Sequence, residues 1–205
     1  VGTTSVEGTW HDSIYLSDDS TYDDGDLLLV SRDSSAVTPL PPSQEYTRNI
    51  NISVPIDVPL GDKYLILKTD SKGVVLEYVR LNNETAIPFK TTASDLQVDQ
   101  VNVPDEAWVG QKINLSWIVK NHGDGPTGTG SWKDYVYLSA DQTFGSDYLL
   151  GTVTCDSALD PNQAYTQNTL LQLPSSLNGL YYVFVKADGD GKVYETGNEN
   201  NNANY

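Results

Sequence analysis

Trp10-His-Asp12-Ser-Ile-Tyr15-Leu16-Ser17-Asp-Asp19 returns 122 residues later as Trp132-Lys-Asp134-Tyr-Val-Tyr137-Leu138-Ser139-Ala-Asp141. Downstream, Leu40-Pro-Pro42-Ser-Gln44-Glu-Tyr46-Thr47 is echoed by Leu159-Asp-Pro161-Asn-Gln163-Ala-Tyr165-Thr166, and Glu77-(x4)-Asn82-Asn83 by Glu195-(x4)-Asn200-Asn201. A solenoid unit is typically ~20–50 residues, so a repeat of this period means tandem copies of one domain. The copies divide at 1–91 and 92–205. Domains of roughly 100 residues bury enough surface to fold without covalent staples.

The patterning is that of strands. Ile113-Asn-Leu115-Ser-Trp117-Ile-Val119 alternates, while Val136-Tyr-Leu138, Leu65-Ile-Leu67 and Tyr181-Tyr-Val183-Phe-Val185 are short β-branched and aromatic runs. Gly, Pro, Asn and Asp clusters separate them. In the second copy strands are expected near 96–103, 112–120, 132–139, 148–154, 164–173, 180–187 and 192–196. Asp188-Gly-Asp190-Gly191 is read as a hairpin turn between the last two. Seven short strands in a domain of this size predict an all-β fold, two tandem immunoglobulin-like β-sandwiches.

The ordered set Asp95-Leu-Gln-Val98, Gly110-Gln-Lys-Ile-Asn-Leu-Ser-Trp117-Ile-Val119-Lys-Asn121-His-Gly123 and Trp132-Lys-Asp134-Tyr-Val-Tyr137-Leu138-Ser139 resembles the CARDB domain. Asp188-Gly-(x5)-Glu195-(x3)-Glu199-Asn200-Asn201 agrees with that family's closing signature. The resemblance covers 94–204; in the first copy it begins only at Trp10 and breaks at Leu81, which stands where the second copy has Glu199. It implies an immunoglobulin-like sandwich from a bacterial adhesion-related protein.

The first copy lacks a counterpart of 95–130, and so its first two strands. A sandwich without them leaves unpaired backbone edges and an open core face. Two explanations stand: the chain is a piece of a longer one cut within a domain, or a strand-complementing or swapped partner chain supplies the strands.

Charge narrows the function. Twenty-eight acidic against twelve basic residues give a formal charge of −16. Nucleic acid and anionic lipid are excluded as partners, because both are recognised through Lys/Arg patches. No apolar run approaches the ~18 residues that insertion into a membrane needs. One cysteine, Cys155, permits no internal disulfide.

The acids are concentrated. Asp18, Asp19, Asp23, Asp24 and Asp26 fall within nine residues, and Asp141 and Asp147 hold the positions aligned with Asp19 and Asp26. A second concentration combines Asp12, Glu77 and Asn82, repeated as Asp134, Glu195 and Asn200. Ca²⁺ takes six to eight oxygens from such side chains, so Ca²⁺ is the expected ion, bound to one of these clusters and rigidifying the copies. The competing reading is that Asx-rich loops cap their own backbone. Trp10, Trp132 and Trp117 are expected in the core, and Trp108 is the candidate for an exposed contact.

Catalysis finds no signature. His11 and His122 are the only histidines, and no HExxH, GxSxG or phosphate-loop pattern occurs. The expectation is a non-catalytic spacer or adhesion module, secreted or at the cell surface, with a protein or polysaccharide ligand. The alternative is a carbohydrate-binding or accessory module of a secreted enzyme.

Overall fold

The computed structural model describes residues 3–205, and every strand or helix assigned among them is a strand. The chain divides into two compact units, Val1–Thr91 and Thr92–Tyr205. The first holds β1 (His11–Ser17), β2 (Leu27–Asp33), β3 (Gly61–Lys68) and β4 (Glu84–Thr91). The second holds β5 (Leu96–Asn102), β6 (Lys112–Asn121), β7 (Trp132–Ser139), β8 (Tyr148–Cys155), β9 (Ala164–Gln172), β10 (Tyr182–Lys186) and β11 (Ala203–Asn204).

In the second unit a sheet of order β11-β10-β7-β8 faces a sheet of order β5-β6-β9. Period-two alternation in β6 sends Ile113, Leu115, Trp117 and Val119 inward, where they meet Trp132 and Val136 of β7 and Val185 of β10. Each fully buried apolar side chain contributes about 1.5–3 kcal/mol. Asp134 shares the inward face of β7 with Trp132 and Val136, so a carboxylate lies inside the sandwich. The outward face is aromatic: Tyr137, Phe144, Phe184 and Tyr205 pack edge to tilted ring.

The expected strand at 192–196 does not form. The turn after β10 exists, with Asp188 at φ 45° and Gly191 at φ 61°. The Asp188 carboxylate then accepts the Lys192 and Val193 N–H groups, spending the donors a returning strand would use. The seventh strand is β11 instead, which pairs with β10 through Lys186 and Ala203.

The first unit contains one sheet, β2-β1-β3-β4, in the order of β8-β7-β10-β11. Even the irregularity repeats: pairing shifts register after Ile14 in β1 and after Val136 in β7, so Leu29 and Leu150 are the bulged residues. Among the described residues the counterparts of β5 and β6 are missing, as the sequence predicts. A further strand is lost with them. Residues 46–54 align with 165–173, which contain most of β9, yet they carry no strand. They run extended, with Tyr46, Arg48, Ile50, Ile52 and Val54 half-buried and the intervening residues exposed. In the second unit β9 takes its ladder from β6 alone. Remove β6 and the segment keeps its alternation but has nothing to pair with.

Candidate functional site

The loop from β1 to β2 carries the densest acid cluster. Ser17 Oγ accepts the Asp19 N–H at 3.2 Å, and Asp19 Oδ1 accepts the Thr21 N–H at 2.7 Å. Asp26 Oδ2 accepts the Asp23 N–H at 2.9 Å, and Asp23 Oδ1 accepts the Gly25 N–H at 2.6 Å. Asp18 Oδ1 receives the ammonium of Lys63, and Asp24 is exposed. Asp18, Asp19, Asp23 and Asp26 line one cleft of about 330 Å³, with Lys63 in its wall.

The corresponding loop of the second unit repeats the arrangement. Ser139 Oγ accepts the Asp141 N–H, Asp141 Oδ1 accepts the Thr143 N–H at 2.8 Å, and Asp147 Oδ2 accepts the Gly145 N–H at 2.8 Å. These carboxylates act as local caps of their own turns. Among the described residues, no three His, Cys, Asp or Glu side chains converge in a way that could hold a metal ion. In the 18–26 loop one oxygen each of Asp19, Asp23 and Asp26 faces a loop amide, and Asp18 faces Lys63.

The second concentration separates into independent sites. Asp134 Oδ2 accepts the Trp117 indole N–H at 2.8 Å and the Tyr165 hydroxyl at 2.6 Å, and Tyr165 in turn accepts the Trp132 indole N–H at 3.3 Å. Burial pushes the Asp134 carboxyl above its ordinary range, while the Tyr165 and Trp117 bonds oppose that rise. Burial and the neighbouring Asp134 charge drive the Tyr165 hydroxyl strongly upward, so it stays a donor.

The first unit keeps two-thirds of this arrangement. Trp10 donates to the Tyr46 hydroxyl at 3.2 Å, which donates to Asp12 Oδ2 at 2.6 Å. The first unit has no aligned counterpart of Trp117. The Arg48 guanidinium lies 3.7 Å from the same Asp12 oxygen.

Glu77 and Asn82 are not gathered around Asp12, nor Glu195 and Asn200 around Asp134. Glu77 Oε2 accepts from Asn83 Nδ2 at 2.6 Å, and Asn82 is exposed. Glu195, fully buried, accepts the Leu96 N–H and the side-chain N–H of Asn202, while Asn200 is exposed. The pairing asparagines are Asn83 and Asn202, because the turn of the second unit is one residue longer. Burial raises the Glu195 carboxyl to about 7, helped by Glu199 and Asp188 and opposed by its two hydrogen bonds.

Sequence reasoning missed that Asp70 and Asp188, which open matching turns, cap the amides beyond them. Asp70 accepts the Val74 and Val75 N–H groups at 2.9 Å, as Asp188 does for Lys192 and Val193. The signal was present in the repeat: both aspartates stand three residues before a glycine at the end of an apolar run. Of the tryptophans, Trp10, Trp117 and Trp132 are buried and Trp108 is 82% exposed. Cys155 is buried, and burial pushes its thiol up.

Comparison with known proteins gives a match of the CARDB family model to residues 93–205. Similar solved structures include the solution structure of the CARDB domain of a Pyrococcus furiosus protein, at 24% identity and TM-score 0.41. It covers 55% of this chain and 91% of that one. A crystal structure of that domain in complex with di-metal ions aligns at 25% identity and TM-score 0.41, over 56% of this chain and 91% of that one. A Kluyveromyces marxianus β-glucosidase in complex with glucose aligns at 27% identity and TM-score 0.32, over 50% of this chain and 13% of the enzyme. No curated protein matches.

Proposed function

The chain belongs to the CARDB family, whose members are adhesion-related, non-catalytic immunoglobulin-like modules, and we propose from that premise that its two units are spacer and adhesion modules of a secreted or cell-surface protein. They would hold a protein or polysaccharide ligand site away from the surface. The observation that supports this reading is the hydrogen-bonded chain Trp132–Tyr165–Asp134–Trp117. It ties β9 and β6 of one sheet to β7 of the other through the middle of the core. Such a brace resists shear between sheets, which a load-bearing spacer needs. Pulling the chain by its two ends tests it: the second unit should unfold in one cooperative event at a higher force than the first. Extension without a resolvable force peak would remove the spacer role.

Ca²⁺ belongs to this proposal as a ligand of the 18–26 loop. Four carboxylates share one cleft there, and a divalent ion would relieve part of the charge of −16. Binding would require Asp19, Asp23 and Asp26 to turn from their loop amides. Calorimetric titration with Ca²⁺ should give a heat that Asp23→Asn abolishes, and identical melting with Ca²⁺ and with excess chelator would end this part. The carbohydrate-binding alternative is favoured by the exposed Trp108, since a free indole face stacks on sugar rings. No retention on insoluble polysaccharide would exclude it, and retention that Trp108→Ala leaves unchanged would exclude Trp108 as the contact.

A further inference from the structure

The first unit is half of an interface that the second unit has whole. Several residues of the second unit that meet β5 or β6 have aligned residues in the first that are left uncovered. Val185, on the inward face of β10, is 0% exposed, whereas Leu67 at the same place on β3 is 39% exposed. Val136 is fully buried in β7, and its counterpart Ile14 is only half-buried. Glu195 is buried because its carboxylate accepts the N–H of Leu96, the first residue of β5. Glu77, its counterpart, lies exposed. Leu76 beside it is 99% exposed.

The edge tells the same story. In the second unit β9 pairs with β6 continuously from Lys112↔Gln172 to Lys120↔Ala164. The aligned segment 46–54 is extended and seated on the inward face. Among the described residues, no backbone hydrogen bond joins any of its amides or carbonyls to a partner. A half-covered segment with a free ladder edge is a template for strand addition.

We infer that the first unit takes up, along 46–54 and over its inward face, an antiparallel strand pair built like β5–β6 and arriving from outside residues 1–205, as part of another module of the same type. Complementarity specifies this occupant. Its second strand runs antiparallel to 46–54 and presents apolar side chains at every other position, to cover Ile14, Leu65 and Leu67. At the position of Trp117 it carries a hydrogen-bond donor for Asp12 Oδ2, as Trp117 does for Asp134, and there it takes the place of the Arg48 guanidinium. Its first strand begins with a free N–H for Glu77, as Leu96 does for Glu195.

The graft that tests this follows from the repeat. Residues 92–122 placed directly before Val1 put the strand pair at the spacing from Trp10 that β5–β6 have from Trp132. Amide hydrogen exchange is then followed across 46–54. In the 205-residue chain these amides should exchange near the free-peptide rate, because nothing holds them. In the grafted chain every second one should slow by on the order of 10²-fold, the signature of one ladder edge becoming paired. Ile50→Pro, which removes one donor and blocks an antiparallel ladder, should abolish that protection in the grafted chain alone.

Three results from the ungrafted and grafted chains would overturn the inference. The first is protection of 46–54 already present in the monomeric, ungrafted chain. The second is protection in the ungrafted chain that grows with protein concentration, since a second copy would then be the occupant. The third is a graft that leaves 46–54 at the free rate while β1 and β3 amides remain protected. If β1 and β3 lose protection in the graft, a synthetic 92–122 peptide added in trans at increasing concentration gives the same readout, and no slowing at saturation would overturn the inference.

Discussion

Replacing Glu195 by glutamine should remove the pH dependence that this one side chain imposes on the second unit. Glu195 is fully buried and its carboxyl is raised from 4.5 to about 7, chiefly because burial disfavours the charged form. A folded-state value above the unfolded one means that the folded state binds the proton more tightly. The stability this confers is complete below about pH 4.5 and is lost as pH rises through about 7. One pKa unit is about 1.4 kcal/mol, so the loss between pH 5 and 8 amounts to about 2–3 kcal/mol.

Glutamine keeps the shape and the acceptor for the Leu96 N–H. Its new N–H₂ can donate to Asn202 Oδ1, a buried oxygen with no partner in the parent chain, once that amide turns over. The variant carries no charge to bury and should be indifferent to this titration. Asp134 and Asp188 are also raised, by burial, and tilt both proteins alike. Glu195 is therefore isolated in the difference between the two profiles. Urea unfolding at pH 5, 6, 7 and 8 gives this difference, followed by the emission of Trp108, Trp117 and Trp132 in a Trp10→Phe background that silences the first unit. Glu195→Gln should gain about 2–3 kcal/mol on its parent between pH 5 and pH 8, or roughly 10 °C in melting temperature for a unit of this size. Profiles that stay parallel within about 0.5 kcal/mol would falsify the claim that folding perturbs this carboxyl.

The cross-sheet brace makes its own prediction. Tyr165→Phe should cost the second unit about 1.5–3 kcal/mol by chemical denaturation, because a buried carboxylate loses a charge-assisted bond and Trp132 its acceptor. Tyr46→Phe should cost less, since Arg48 stays beside Asp12; equal losses would show that Arg48 does nothing for that carboxylate. Gly123→Ala should destabilise the second unit by about 1–3 kcal/mol. An added Cβ would stand 2.4 Å from the Ala93 carbonyl oxygen and 2.6 Å from Ser94 C, both rigid backbone. A melting curve unchanged by that substitution would mean that residues 92–95 give way.

Local patterns carried most of the fold in readable form. The alternation of β6 and the matching of β1 with β7 are period-two signals, and they place Trp10, Trp117 and Trp132 inside without reference to any distant residue. The absence of two strands from the first copy was equally visible, because a repeat measures itself. The failures occur where a local signal met a non-local competitor. The 188–191 turn promised a returning strand, but the Asp188 carboxylate took the amides that strand required. Residues 46–54 keep the alternation of their echo in β9, yet a strand exists only with a neighbour to pair with.

Carboxylate roles divide along the same line. Composition alone establishes that the chain is strongly acidic, and spacing alone that the acids recur at matched positions in two all-β copies. Which acids cap a turn, which one braces two sheets and which one secures the start of β5 was decided by tertiary structure. Trp117 reaches Asp134 across 17 residues and Leu96 reaches Glu195 across 99. A side chain's periodicity is set by its immediate neighbours along the chain. Its hydrogen-bond partner, and with it the energy of burying its charge, is set by whatever folding brings alongside.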